Sequence, residues 1–152
     1  MNILPFLLDQ KKYFASSYEQ FQAFGGPSVY FHVECLRAAV TDFLSHRHIE
    51  MLYATLASWG MHRMGDIDQT KTKLTDWAAF QASIVKSRRE LDGFRELTML
   101  GMDEAAYAET LSRLQPVYAG LNLAVSGATV VVNSKALHHI LPSLVPPIDR
   151  QY

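Results

Sequence analysis

The chain of 152 residues sets 14 Lys and Arg against 15 Asp and Glu, a formal net charge of −1, and holds one cysteine, Cys35. That length fits one domain of ordinary size, and a single thiol excludes any disulfide framework within the chain. Proteins that live on sequence-independent phosphate contacts show a basic excess, and the total shows none, which leaves only a local basic face for such binding.

The first segment, Leu4 to about Phe24, spaces apolar residues at helical intervals until Gly25-Gly26-Pro27 stops it. Its start is apolar but lacks a basic leader, and Pro5 and Asp9 interrupt it, so no signal peptide is expected. Ser28 is a candidate cap for a helix striped by Phe31, Cys35, Leu36, Ala39, Val40, Phe43 and Leu44. Ser45-His46-Arg47-His48 reads as a polar break, after which Ile49, Leu52, Tyr53, Leu56, Trp59 and Met61 resume a helix that ends between Gly60 and Gly65. Trp59 continues that stripe and is assigned to the core. Residues 66–73 lack periodicity and form the main loop.

Helical spacing returns from Leu74 to Phe94, with Thr72 or Thr75 as the cap, and Asp103 caps a further helix through Leu114. Pro116 either kinks that helix or opens another through Leu121 and Ala124. The β-branched run after Ser126-Gly127, Ala128 to Val132, predicts a buried extended crossing. Leu36, Val40, Leu52, Leu56, Trp59, Trp77, Phe80, Ile84 and Leu111 are expected in the core. The pattern as a whole predicts an all-α single domain over residues 1–152, of about six or seven helices, cytoplasmic and with no membrane span.

Six histidines invite a metal site, but no Cys/His pair has zinc spacing and no two histidines lie four apart on a helix with an acid between them. No metal or cofactor is expected. Gly-rich phosphate loops and the Gly-x-Ser-x-Gly elbow are also missing. Lys86, Arg88, Arg89 and Arg95 on one predicted helix, with His46, Arg47 and His48, form the local basic clusters, read as a solvated helix face and a polar turn. Phe14, Tyr18, Phe21 and Phe24 offer an apolar surface for homo-oligomerisation.

The C-terminal stretch carries the most chemistry. Asn133 and Ser134 are good N-caps for a short helix, Lys135 to Leu141, which Pro142 ends. Leu144-Val145-Pro146-Pro147 then forms a stiff arm that delivers Ile148-Asp149-Arg150, and the arm is expected to bring the Asp149 carboxylate to the Lys135 end of the helix. Ser134-Lys135-Ala136-Leu137-His138, Pro142 and Asp149 resemble the motif of an uncharacterised microbial helical family. More distantly, they are similar to part of the helix-hairpin-helix DNA glycosylases.

That resemblance implies Lys135 at the hairpin position of the Schiff-base nucleophile and Asp149 at the acid that assists departure of the damaged base. Asn133, Ser134, His138, His139 and Arg150 become the surrounding ligand-contact candidates. The chain departs from the glycosylase pattern in its shorter Lys–Asp separation and in having Val131 and Asn133 where the hairpin glycines stand. The implied function is binding of nucleic acid or a nucleobase-like ligand. Three alternatives stand beside it: a non-catalytic interaction or oligomeric scaffold, an active base-excision enzyme in which Lys135 attacks a sugar carbon and Asp149 handles the proton, and a structural Lys135–Asp149 ion pair that pins the arm.

Overall fold

In the computed structural model, which describes residues 26–61, 73–125 and 129–148, Gly26-Pro27 opens the helix α1 (Pro27–Thr41). Proline at the first helical position gives up only an N–H with no intrahelical acceptor, so the cap falls at Gly26 and not at Ser28. The following turn holds Leu44 at φ 52°. Its N–H donates to His48 Nδ1 at 3.0 Å and its side chain is buried. A left-handed leucine costs roughly 1–2 kcal/mol, and burying its side chain contributes about 1.5–3 kcal/mol, so packing holds this turn against backbone preference.

Ser45 caps α2 (His46–Leu56) by accepting the His48 N–H at 3.1 Å. The residues read as a polar break are therefore a cap and a first helical turn. At its far end α2 runs into a wide turn, Ala57–Met61, where Trp59 and Gly60 leave helical geometry. Gly60 lies at φ 77°, a conformation that costs glycine nothing. Met61 then accepts the N–H groups of both Lys73 and Leu74, which brings the chain back to the same point.

Asp76, and neither predicted threonine, caps α3 (Trp77–Lys86), accepting from the Ala79 N–H at 3.0 Å. Ser87 interrupts the predicted single helix, and α4 (Arg88–Asp92) follows it. Asp103 caps α5 (Glu104–Gly120) as expected, at 2.8 Å from the Ala106 N–H, and Pro116 lies inside that one helix. After Gly120 the backbone is extended, not helical as predicted. Leu121 and Leu123 are buried while Asn122 is exposed, the two-residue period of a strand-like segment. A single antiparallel bridge joins Leu74 to Ala124.

The last helix, α6 (Thr129–Ile140), corrects the expectation furthest. The β-branched run begins a helix instead of an extended crossing, so Asn133 and Ser134 lie within it and cap nothing. β-Branching lowers helix propensity by only a few tenths of a kcal/mol per residue, too little to keep Val131 and Val132 out of a helix.

Helices take 69% of the described residues and no strand forms among them, which fixes the all-α class. The buried side chains form one cluster, to which α2, α3 and α6 contribute most. Leu52, Leu56, Phe80 and Ile84 are fully buried as expected, and Leu36, Trp59 and Trp77 are half-buried. Val40 (71% exposed) and Leu111 (51%) are not core residues. On α1 the inward face is Cys35, Ala38 and Ala39, and on α5 it is Thr110 and Val117. No helix among the described residues is long and apolar enough to cross a membrane. The predicted helix over Leu4 to Phe24, including its apolar surface, and most of the predicted loop lie outside the described residues.

The two aspartate caps give a direct check on these boundaries. Asp76→Ala and Asp103→Ala should each lower the unfolding free energy by about 1 kcal/mol in urea melts, and the double variant by about 2 kcal/mol because the sites share no partner. An unchanged midpoint for either single variant would contradict the corresponding cap.

Candidate functional site

Nine of the twelve residues of α6 are buried, Asn133, Ser134, Lys135 and His139 among them. A helix enclosed on nearly all sides must give each polar side chain a partner. Asn133 Nδ2 donates to the carbonyls of Tyr118 and Leu121, both at 3.1 Å, and so holds the end of α5. Its Oδ1 is buried and has no hydrogen-bond partner among the described residues. Ser134 Oγ donates to Val131 O and accepts the N–H of Ile148, each at 3.1 Å. His138 Nδ1 donates to Val145 O at 2.9 Å. Ser134 and His138 thus fasten the proline arm along α6.

His139 is the centre of a set of imidazoles. Its Nδ1 donates to Lys135 O at 2.7 Å, which leaves Nε2 as an acceptor for His32 Nδ1 on α1 at 2.9 Å. Its backbone carbonyl faces His48 Nε2 on α2 at 3.3 Å. Because the Leu44 N–H occupies His48 Nδ1, His48 donates through Nε2. Each of these bonds is satisfied by neutral rings. Burial pushes His139 down to about 4, and the neighbouring His32, His138 and His48 push the same way against its hydrogen bond to Lys135 O. His48 and His32 are also lowered, chiefly by burial.

The Lys135 ammonium, on a residue only 9% exposed, lies 5.4 Å over the Trp59 ring. Such a contact contributes about 0.5–2 kcal/mol, most where water is excluded. Trp59 also packs against His139 and His32, with ring centroids 5.1 and 5.6 Å apart. The wide turn at Gly60 carries Trp59 out of the α2 stripe and toward α6. Chemically, the cluster sets one cation against an aromatic face within a group of neutral rings. Trp59, His32 and His138 are half-buried.

Of the predicted site, Ser134, Lys135, His138 and His139 share one helix, but Ser134 and His138 serve the arm, and Asn133 serves α5. The residues matched to a hairpin, Val131 to Asn133, are helical. Asp149 and Arg150 lie outside the described residues, and the residue before them is fixed at Ser134 by the Ile148 N–H. His32 and Trp59 join the cluster without having been singled out as ligand contacts. The only sequence signal for His32 is the number of histidines, and the Trp59, Gly60, Met61 and Met64 group suggests an aromatic and thioether surface that the helical stripe assigns to the core.

Among the described residues, several members of the predicted basic clusters are taken up by local contacts. His48 is buried, Arg47 lies 3.8 Å from Glu34, and His46 is bonded to Gln81 and paired with Glu50. Arg95 donates to Val40 O and covers Phe43. Cys35 is buried, and burial pushes its thiol up to about 12, so it is no nucleophile. Among the described residues no three His, Cys, Asp or Glu side chains are grouped to hold a metal ion. No family model matches the chain, and no match to it was found among curated proteins or solved structures.

The imidazole set gives a pH dependence with a definite sign. His139 binds its proton in the unfolded chain near pH 6.5 but in the folded protein only near 4. The unfolded state therefore binds more protons across that window, and stability present above 6.5 falls as the pH drops toward 4. A shift of this size is worth about 3 kcal/mol. Urea melts between pH 7 and 4 should show the loss, and His139→Phe should flatten the profile while lowering stability at pH 7. An equally steep profile in the variant would contradict this assignment.

Proposed function

We propose that this chain is a helical module that binds nucleic acid or a nucleobase-like ligand at the cluster of Trp59, His32 and Lys135. The observation that carries the reading is the Lys135 ammonium held 5.4 Å over Trp59, beside the His32–His139 pair. Flat bases stack on aromatic and imidazole rings, and an ammonium beside those rings can meet a base acceptor or a phosphate. The resemblance at Ser134-Lys135-Ala136-Leu137-His138 points to the same residues. Residues 131–133 are helical and so do not offer the exposed N–H groups with which a hairpin grips a phosphate, which favours binding over strand-cleaving chemistry.

The test is calorimetric titration with adenosine and with a short single-stranded oligonucleotide, alongside Trp59 fluorescence in a Trp77→Phe background. Saturable binding of both ligands is expected. Lys135→Gln and Trp59→Leu should each weaken it about tenfold, equivalent to 1.4 kcal/mol, with unchanged circular dichroism. Added salt should weaken the oligonucleotide far more than the nucleoside. The absence of saturable binding at low salt, or equal affinity in both variants, would overturn the proposal. Borohydride trapping of an adduct with abasic DNA, lost in Lys135→Gln, would extend it to lyase chemistry with Lys135 as nucleophile and Asp149 as acid.

A second reading, an interaction or oligomeric scaffold, is favoured by a separate apolar hollow. It occupies about 280 Å³ between α5 and the arm, beside Leu111, Tyr107, Met99 and Ile148. Those four side chains are roughly half exposed. Sedimentation velocity showing a concentration-dependent assembly that Leu111→Asp abolishes would favour it.

A further inference from the structure

A cavity of about 380 Å³ lies away from the Trp59 cluster, between the α3–α4 break and α5. Its size falls in the range of small-molecule sites. Phe94, Pro116 and Val117 give it apolar lining, while Lys86, Arg113 and Glu90 supply charge. Phe94 and Val117 are buried, so this apolar lining is rooted in the core. The Arg113 guanidinium sits 5.1 Å over the Phe94 ring, and the one carboxylate within 4 Å of it among the described residues, Glu109, is 3.9 Å away. At that separation no strong hydrogen bond forms, and the fork keeps donors for a ligand.

Local structure explains why these groups meet. Ser87 ends α3, so Lys86 falls in its last turn and Glu90 in the first turn of α4, one on each side of the break. Arg113 and Val117 are one helical turn apart on α5 and therefore share a face. Two cations and one carboxylate leave a single net positive charge in the lining. That balance suits a monoanion carrying a hydrogen-bond donor better than a dianion or a polyphosphate.

We propose that this cavity binds a small aromatic carboxylate, its carboxylate held by Lys86 and Arg113, its ring among Phe94, Pro116 and Val117, and a ring hydroxyl or amino donor on Glu90. The site does not depend on the Trp59 cluster, and each can fail alone.

The probe is 4-hydroxybenzoate, titrated at constant ionic strength into the full chain and followed by amide shifts in ¹H–¹⁵N spectra. Saturable shifts at Ser87, Val117 and Gly120 are expected. Benzoate should bind more weakly, and inorganic phosphate or phenol alone more weakly still. Lys86→Gln and Arg113→Gln should each cost about tenfold, the scale of one charge-assisted hydrogen bond. Glu90→Gln should erase the preference over benzoate. Nothing stands within 4 Å of a Cβ built on Gly120, so Gly120→Leu should fold and still block the site. Lys135→Gln should bind the probe as the parent does. Failure to saturate, shifts centred on Trp59, or full binding in Arg113→Gln would overturn the proposal.

Discussion

His139 is the residue on which the arrangement of this protein depends. One buried ring and its own backbone carbonyl connect α1 through His32 and α2 through His48, while the ring's second nitrogen is spent on α6 itself. A neutral imidazole has one donor and one acceptor, and both are used within hydrogen-bond distance. Leaving either partner unpaired in the core costs about 1–3 kcal/mol. The three helices therefore cannot slide past one another without breaking a polar contact, a constraint that apolar packing alone does not impose.

The same constraint makes the cluster around Lys135. With α6 fixed in rotation by His139, Lys135 stands one helical turn before it and lies over Trp59. The fixed helix also turns Ser134 and His138 toward the arm, which they hold at both ends of the segment from Val145 to Ile148. Site and scaffold are thus made of neighbouring residues on one helix, and a substitution at Ser134 or His138 acts on the arm before it acts on any ligand.

Much of the fold was legible where a local rule decides. The Asp103 cap and the burial of Leu52, Leu56, Phe80 and Ile84 follow from short-range chemistry and helical periodicity. The failures occur where long-range packing outweighs local preference. Val131 and Val132 favour strands by shape, yet they enter a helix, because β-branching opposes helix by only a few tenths of a kcal/mol per residue and tertiary context overrides it. Val40 and Leu111 fall outside the core because an apolar stripe fixes a helix face only to within about one residue, and α1 and α5 turn Cys35 and Thr110 inward instead. Lys135, His138 and His139 were legible as a motif. Their partners were not, since His32 lies more than a hundred positions away and only the packing of α1 on α6 joins them.

Charge separates the two candidate sites as much as position does. In the Trp59 cluster burial lowers the pKa values of His139, His48 and His32, and the Lys135 ammonium lies over the Trp59 ring. The cavity beside Arg113 works the other way, with two cations and a carboxylate set at its lining and an aromatic floor that orients the guanidinium. A guanidinium already held against an aromatic ring loses less freedom when it closes on an anion than a fully solvated one does. A protein with no overall basic excess can in this way still select anions, because the selecting charge is preorganised at one place and not spread over its surface.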